Sequence, residues 1–269
     1  MSKNTFHIVS LGCSKNTVDS DSMAQLLTSS SYELVTDPRR ARVLIVNTCG
    51  FIGLAREESL NVLADLAAKK KNGQVLIAAG CLTQRCAVEV ARRVPGIDGI
   101  LGTRRWMDIV DVVESLHGVD HHEPHYHLSE AATVGSDEHD VLRVSVQGAS
   151  AYLKIADGCR RPCAFCAIPL IKGTAVSRPI ESVLAEACSL QKMGIREIIL
   201  IAQDTTDYGY DLGLKDGLAH LLVEMTAAVP QVDWIRVMYA YPGYVTDELI
   251  DVMATHKQVL PYLDMPLQH

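Results

Sequence analysis

Short apolar runs rich in β-branched residues alternate with segments of helical periodicity along the first part of the chain. The runs that predict strands are Phe6–Ser10, Val43–Asn47 and Gln74–Ala79, with weaker candidates at Tyr32–Val35 and Ile100–Leu101. The segments that predict helices are Ser20–Ser29, Arg56–Lys71, Gln84–Arg93 and Asp108–Leu116. Near-continuous apolar strands joined by helical crossovers are typical of a parallel sheet covered on both faces. Residues 1–118 are therefore predicted to form a doubly wound α/β domain.

The pattern changes between residues 119 and 144. Six of the ten histidines lie between His117 and His139, together with several acidic residues, and the hydrophobic periodicity is lost. A transition-metal site is the alternative interpretation, but nothing in the spacing defines a ligand geometry. We predict that residues 119–144 form a His-rich, acidic linker.

A second series of strands and helices occupies residues 145–269. Strands are predicted at Ala151–Ile155, Glu197–Ile201, Trp234–Tyr239 and near Tyr262–Met265, and helices at Ser182–Met193, Leu218–Val229 and Asp247–His256. Recurrent βα units indicate part of a barrel. Four strands cannot close a barrel, so the predicted fold class is α/β, with a doubly wound parallel sheet followed by an incomplete barrel.

Composition and charge restrict the class of protein. The 269 residues are 48% apolar and 21% charged, and the formal net charge is -7. This charge argues against general attraction to nucleic acid or to anionic membranes, so direct nucleic-acid binding by this chain is not expected. The longest apolar runs fall far short of the ~18 residues of a membrane helix, and the N-terminus lacks the apolar stretch of a signal peptide. We therefore predict a cytoplasmic protein.

The eight cysteines carry most of the chemical information. Without a secretory signal they indicate metal-binding, catalytic or buried thiols rather than disulfides. Cys159, Cys163 and Cys166 follow a predicted strand with the spacing C-x3-C-x2-C. Three thiolates on one loop can hold three irons of a 4Fe-4S cluster, which leaves the fourth iron open to a small molecule. A structural zinc site is less favoured, because zinc normally takes four ligands.

Three further cysteines are far apart in sequence but occupy equivalent positions. Cys13, Cys49 and Cys81 each come after a predicted strand and before a helical segment, with separations of 36 and 32 residues. Because the carboxyl ends of parallel strands meet at one edge of a sheet, we expect the three cysteines to converge. A second cluster is favoured over three unrelated buried thiols. Cys86 and Cys188 lie within helical segments and are interpreted as core or half-buried thiols.

The loop from Cys159 to Cys166 resembles the signature of the radical S-adenosylmethionine (SAM) enzymes. That resemblance implies a (β/α)6 partial barrel in which SAM chelates the open iron of the cluster. It also implies reductive cleavage of SAM to methionine and a 5'-deoxyadenosyl radical that abstracts a hydrogen atom. Phe165, between the last two cysteines, would contact the adenine end of SAM or shield the cluster as an apolar plug.

Both cysteine sets and their flanking segments resemble the radical SAM methylthiotransferases. The segments that carry this resemblance are SLGCSKNTVDSD, DGCRRPCAFCAIPLIKG, LIAQDTTDYG, YAYP and DMPLQH. They are most similar to the branch that modifies the β-carbon of an aspartate in the twelfth protein of the small ribosomal subunit. The alternatives are the branch that modifies adenosine in tRNA, and an iron-sulfur protein without catalytic activity.

The family resemblance carries further implications. It implies two 4Fe-4S clusters, SAM, a small-subunit ribosomal protein as substrate and an electron donor such as a flavodoxin or ferredoxin. Family members continue through further barrel strands into a TRAM domain, so the resemblance also implies that this chain is C-terminally truncated. The residues that depart from the usual pattern are Ser14, Asp21 and Lys172.

Polar and aromatic residues near the predicted barrel mouth are additional candidates. Gln203 and Asp204 follow a strand end, where they could bind the methionine end of SAM or the substrate, or merely cap a loop. Arg160 and Arg161 would either compensate the charge of a thiolate-ligated cluster or be solvated. Three tyrosines cluster at the end of the third predicted barrel strand: Tyr239, Tyr241 and Tyr244. We expect them to pack over the loop there rather than to stack on a flipped base.

Overall fold

The computed structural model describes residues 4–117, 123–130 and 141–267, which form two compact units. The first unit contains the described residues up to 130, Val141 and Cys163–Lys172. The second contains Leu142–Pro162 and 173–267. Two segments differ from the predicted division. Residues 163–172, predicted within the second domain, belong to the first unit, and the described part of the predicted linker is divided, with 123–130 and Val141 in the first unit and 142–144 in the second.

Within its described residues, the first unit contains a six-stranded parallel sheet with the strand order β2-β1-β3-β4-β5-β6. Its strands are β1 (Thr5–Ser10), β2 (Glu33–Leu34), β3 (Val43–Thr48), β4 (Val75–Gly80), β5 (Gly99–Gly102) and β6 (His125–His127). Its helices are α1 (Ser14–Ser29), α2 (Gly53–Lys69), α3 (Cys81–Arg93), α4 (Ile109–Ser115) and α5 (Ile168–Lys172).

Apolar side chains cover both faces of this sheet. Alternate residues of β3 point to opposite faces, so Ile45 belongs to one buried cluster and Leu44 and Val46 belong to the other. Residues of α1 and α4 complete the first cluster, and residues of α2 and α3 complete the second. The predicted doubly wound parallel sheet is confirmed.

The segment predicted as a linker contains an edge strand. His125–His127 pairs in parallel with β5, and the His127 ring lies 2.6 Å from a carboxylate oxygen of Asp108. Backbone hydrogen bonds suffice for so short a strand, and the sequence HYH carries no hydrophobic alternation, so the pattern gave no signal. Residues 119–122 and 131–140 of the predicted linker lie outside the described residues.

In its described part, the second unit contains a five-stranded sheet with the order β13-β12-β11-β8-β7. The strands of this sheet are β7 (Val144–Gln147), β8 (Ser150–Lys154), β11 (Glu197–Ile201), β12 (Trp234–Val237) and β13 (Val259–Leu263). Two further strands, β9 (Ala156–Asp157) and β10 (Val176–Ser177), form a separate antiparallel pair. Its helices are α6 (Ile180–Lys192), α7 (Gly217–Ala228) and α8 (Asp247–Thr255).

Four strands of this sheet, β8 and β11–β13, run parallel and are joined by helices, as the incomplete barrel predicts. The last strand begins three residues before the predicted Tyr262, at Val259. The sequence analysis missed β7, which forms an antiparallel hairpin with β8 across a turn at Gly148. A glycine with positive φ permits this tight turn.

Cys86 and Cys188 are half-buried thiols, as predicted. Cys86 packs against the core between the sheet, α2 and α3. Cys188 packs against the core of the second unit, where its sulfur lies 3.7 Å from the Ala228 carbonyl oxygen. Separately, no helix in the described ranges is both long and apolar enough to cross a membrane.

Candidate functional site

The three scattered cysteines follow three neighbouring strands of the first sheet. Cys13 lies between β1 and α1, Cys49 directly follows β3, and Cys81 directly follows β4. β1, β3 and β4 are adjacent and parallel, so their carboxyl ends share one edge. The strand order also reverses between β1 and β3, the position where open α/β sheets gather ligands. The structure thus places these three predicted site residues at one edge of the sheet.

The buried side chain of Asn16, only 1% exposed, joins the three strand ends. Its amide nitrogen donates to the carbonyl oxygens of Leu11 (2.9 Å) and Thr48 (3.0 Å). Its Oδ1 lies 3.6 Å from the sulfur of Cys81, which donates to it. The sequence analysis missed Asn16, although its position three residues after Cys13, on the first turn of α1, was a usable signal.

Gly12 allows the cysteine segments to approach closely. Its φ is +93°, and a Cβ added there would lie 2.7 Å from the Cβ and 3.0 Å from the sulfur of Cys49. Real Cβ atoms essentially never show so short a contact. A glycine is required here both for backbone conformation and for space.

The Gly12→Ala variant is expected to lose about 2–4 kcal/mol of unfolding free energy, because positive φ and the clash with Cys49 both disfavour a side chain. Urea unfolding of the metal-free protein measures the change. Gly73→Ala is the matched control, since Gly73 has φ +82° but nothing within 4 Å of an added Cβ. Equal losses in the two variants would contradict the close approach to Cys49.

The environment of Cys49 disfavours a free thiolate. Cys49 and Cys81 are each 8% exposed. Burial raises the pKa of the Cys49 thiol. The backbone N–H of Phe51 lowers this pKa and the nearby charges of Cys13 and Glu58 raise it, and the net effect is a raised pKa. Metal coordination deprotonates such thiols, and thiolates are the usual ligands of iron-sulfur clusters. The donor set therefore fits a cluster.

The arrangement does not fit a single metal ion. Across residues 4–117, 123–130 and 141–267, no three His, Cys, Asp or Glu side chains are grouped so as to hold one ion. A cubane binds each cysteine through a different iron, so its ligands need not meet at one point.

The cysteines of the C-x3-C-x2-C loop belong to both units. Cys159 follows β9 in the second unit, where its N–H donates to the Gly173 carbonyl (3.1 Å). Cys163 and Cys166 belong to the first unit. The Ile168 N–H donates to the sulfur of Cys166 (3.4 Å). Each of the three thiols is partly exposed.

Two arginines of this loop are ion-paired rather than solvated. Arg160 donates to Asp207 through two nitrogens, at 2.6–3.0 Å. Arg161, which is buried, donates to Asp204 (2.6 Å) and to Asp207 (3.2 Å). Carboxylates of the loop after β11 thus hold the residues that follow Cys159.

Tyr241 and Tyr244, two of the three tyrosines singled out from the sequence, lie against Arg161 of this loop. Tyr244 stacks on the guanidinium of Arg161 at 3.5 Å, and Tyr241 contacts Tyr244 edge-on with the ring centroids 5.6 Å apart. Tyr210, which the sequence analysis did not single out, lies 3.6 Å from the guanidinium of Arg160. Aromatic rings therefore cover both arginines.

The two polar candidates after β11, Gln203 and Asp204, differ in whether a side-chain oxygen remains without a hydrogen bond. Both carboxylate oxygens of Asp204 are engaged, one by Arg161 and the other by Thr206. The Gln203 amide nitrogen donates to Asp157 (2.8 Å), while its Oε1 is buried and finds no donor among the residues that the structure describes. Asp157 is itself held by Lys154 at 2.6 Å.

Phe165, the remaining candidate, belongs to the first unit and is 65% exposed. Both predicted roles of its ring, a contact to the adenine end of SAM and an apolar shield of the cluster, stay predictions. The exposed ring remains available to a ligand.

Two family descriptions match the chain. Residues 5–102 match the uncharacterized protein family UPF0004, and residues 153–269 match the radical SAM superfamily. The solved structure of TsrM, a radical SAM methyltransferase from Kitasatospora setae, is similar in fold, with a TM-score of 0.67 at 12% identity. The structural match covers 99% of this chain and 59% of the TsrM chain. The radical SAM enzyme OxsB gives a TM-score of 0.64 at 11% identity, covering 98% of this chain and 44% of OxsB.

Curated relatives are much closer in sequence. The ribosomal protein uS12 methylthiotransferase RimO of Roseiflexus sp. (strain RS-1) is 46% identical over 98% of this chain. The enzyme of the same name from Chloroflexus aurantiacus is 47% identical over 98% of this chain. The chain spans 59% and 60% of the length of these two relatives. Because two family descriptions match it and these relatives resemble it along nearly its whole length, the chain belongs to the radical SAM methylthiotransferase family.

Proposed function

We propose that this chain is part of an enzyme that methylthiolates the β-carbon of an aspartate in ribosomal protein uS12. The observation that carries the proposal is the convergence of Cys13, Cys49 and Cys81 at one sheet edge, in a chain that also has a radical SAM cysteine loop. The names of the relatives supply the substrate.

The family implies SAM and a 4Fe-4S cluster, and each cysteine set has a proposed role. Cys159, Cys163 and Cys166 hold the cluster that cleaves SAM, and Cys13, Cys49 and Cys81 hold a second 4Fe-4S cluster. When bound, the first cluster and SAM supply a radical that abstracts hydrogen, and the second cluster presents sulfur. The protein contributes thiolates at strand ends and N–H donors to sulfur, such as that of Ile168.

Gln203 is the residue with an unmet hydrogen bond at this strand end. Because its amide nitrogen donates to Asp157, its Oε1 is held as an acceptor, buried and lacking a donor in the described chain. An unsatisfied buried acceptor is costly, and a bound ammonium group would satisfy it. We assign Gln203 to the amino group of SAM.

The Gln203→Met variant is expected to bind SAM about tenfold or more weakly, because a hydrogen bond to a charged group contributes roughly 1.5–3 kcal/mol. Equilibrium dialysis with labelled SAM on the reconstituted protein measures this affinity. Gln191→Met, which removes an amide from α6 of the same unit, is the control and should bind SAM as the parent does. Unchanged affinity in Gln203→Met would remove the residue from the site.

Asp204 and Phe165 have different proposed roles at the SAM site. Asp204 acts through Arg161, whose guanidinium it holds beside the loop that follows Cys159. Phe165 offers an exposed aromatic face to the adenine end of SAM.

The proposed partners are uS12 as substrate and an electron donor of the flavodoxin or ferredoxin class. Mass spectrometry of ribosomal protein uS12 and of tRNA from a strain lacking the gene tests the substrate. Loss of a methylthio group from uS12 with unchanged tRNA supports the proposal, and loss from tRNA alone would replace it with adenosine modification. A SAM titration that left the cluster spectrum of the reconstituted protein unperturbed would indicate a non-catalytic iron-sulfur protein instead.

A further inference from the structure

The short helix α5 lies in the same segment of the first unit as two of the radical SAM cysteines. Cys163 and Cys166 immediately precede it, and the whole segment Cys163–Lys172 belongs to that unit. The side chains of Ala167 and Ile171 form a small buried cluster with Cys81. The segment that carries two of the three loop cysteines therefore packs beside a cysteine of the other set.

Two cationic side chains hold the C-terminal end of α5. The Arg104 guanidinium donates to the carbonyl oxygens of Leu170 (2.8 Å) and Ile171 (2.9 Å). The Lys172 ammonium lies 2.9 Å from a carboxylate oxygen of Asp19, and their side chains are 1% and 2% exposed. Cations at the last carbonyls of a helix are favourable.

The ion pair between Lys172 and Asp19 spans 153 residues of sequence. Asp19 lies on α1, the helix whose N-cap residue is Cys13. Lys172 therefore joins the segment after Cys166 to the helix that follows Cys13. Removing one partner of a buried pair leaves an uncompensated charge, so such a pair strongly favours one arrangement of its two segments.

We propose that Lys172 is a positioning residue: its ion pair with Asp19 holds α5, and with it Cys163 and Cys166, against the first unit beside Cys81. The consequence for catalysis rests on the proposed function, because it concerns the placement of Cys163 and Cys166 relative to Cys81 within the first unit. The holding of α5 is independent of that function and can be measured on protein without clusters.

Hydrogen exchange of the metal-free full chain tests the holding directly. Lys172→Met and Asp19→Asn are each expected to raise exchange in residues 163–172 by about tenfold or more, since local opening no longer breaks the buried pair. Lys172→Arg should restore protection, because a guanidinium can pair with the same carboxylate. Exchange in this segment that matched the parent in both single variants would overturn the proposal.

Two further variants separate positioning from general loss of stability. The double variant Asp19→Asn/Lys172→Met removes both charges of the pair, so its overall unfolding should return toward that of the parent while exchange in residues 163–172 stays fast. Lys70→Met is the control, because the ion pair of Lys70 and Asp98 (2.7 Å) joins the residue after α2 to the residue before β5 in the same unit. Faster exchange in residues 163–172 of Lys70→Met would overturn the assignment to Lys172.

The reconstituted protein gives the catalytic readout. Lys172→Met should keep its iron content and its SAM cleavage but form less methylthiolated uS12, so the ratio of 5'-deoxyadenosine to product should rise severalfold. An unchanged ratio would overturn the positioning role. If the parent protein cleaves SAM but modifies no uS12, the proposed function fails while the exchange result on α5 still stands.

Discussion

Replacing Cys163 with alanine is expected to abolish the formation of 5'-deoxyadenosine from SAM. Two thiolates would remain on a loop that needs three to hold a 4Fe-4S cluster with one open iron. The variant should keep about half of the parent's iron, because the other cysteine set is unchanged. Anaerobic reconstitution, iron analysis and chromatography of the SAM products measure both quantities.

Cys188→Ala is the matched control for this variant. Cys188 is a half-buried thiol on α6, packed against the core of the second unit. Its replacement should preserve both the iron content and SAM cleavage. Production of 5'-deoxyadenosine at the parent rate by Cys163→Ala would show that this loop does not bind the cluster that cleaves SAM.

Replacing Cys49 with alanine is expected to have the complementary effect. Cys49 is buried at the sheet edge, and Ser59 holds its backbone through a hydrogen bond of 3.0 Å to the Cys49 N–H. The backbone should therefore persist in the variant while the second cluster is lost. SAM cleavage should continue, and methylthiolated uS12 should fall to background in mass spectra.

The control for Cys49→Ala is Cys86→Ala, which removes a thiol from α3 in the same unit. Because Cys86 packs against the core rather than at the sheet edge, the variant should retain all iron and the methylthio product. If Cys49→Ala bound as much iron as the parent, the convergent cysteines would be ordinary buried thiols.

The helix α1 illustrates why a hydrophobic pattern places an element but not its ends. The pattern predicted a helix from Ser20, whereas the structure begins it at Ser14. Its first turns carry polar residues that are buried, among them Asn16 and Asp19, which bond to the strand ends and to Lys172. Buried polar residues carry no hydrophobic periodicity, so the hydrophobic pattern did not predict the N-terminal turns of the helix.

The loop after Cys159 shows the same limit at the candidate site. Both arginines and Asp204 were identified from the sequence, but their pairing was not. Asp207 and Tyr210 were not singled out, although both contact Arg160 in the structure. An ion pair between residues 160 and 207 depends on how two loops meet, and neither loop alone records it.

The sequence by itself determined the fold class, the two sets of cysteines and the family. Strand and helix periodicity is local, and parallel crossovers oblige the ends of β1, β3 and β4 to share an edge, so the convergence of Cys13, Cys49 and Cys81 followed from order along the chain. The tertiary structure alone decided the partners: Asn16 between the strand ends, and Lys172 on Asp19. Such contacts arise from the packing of segments up to 153 residues apart, where burial strengthens each polar pair and the local sequence leaves no trace of it.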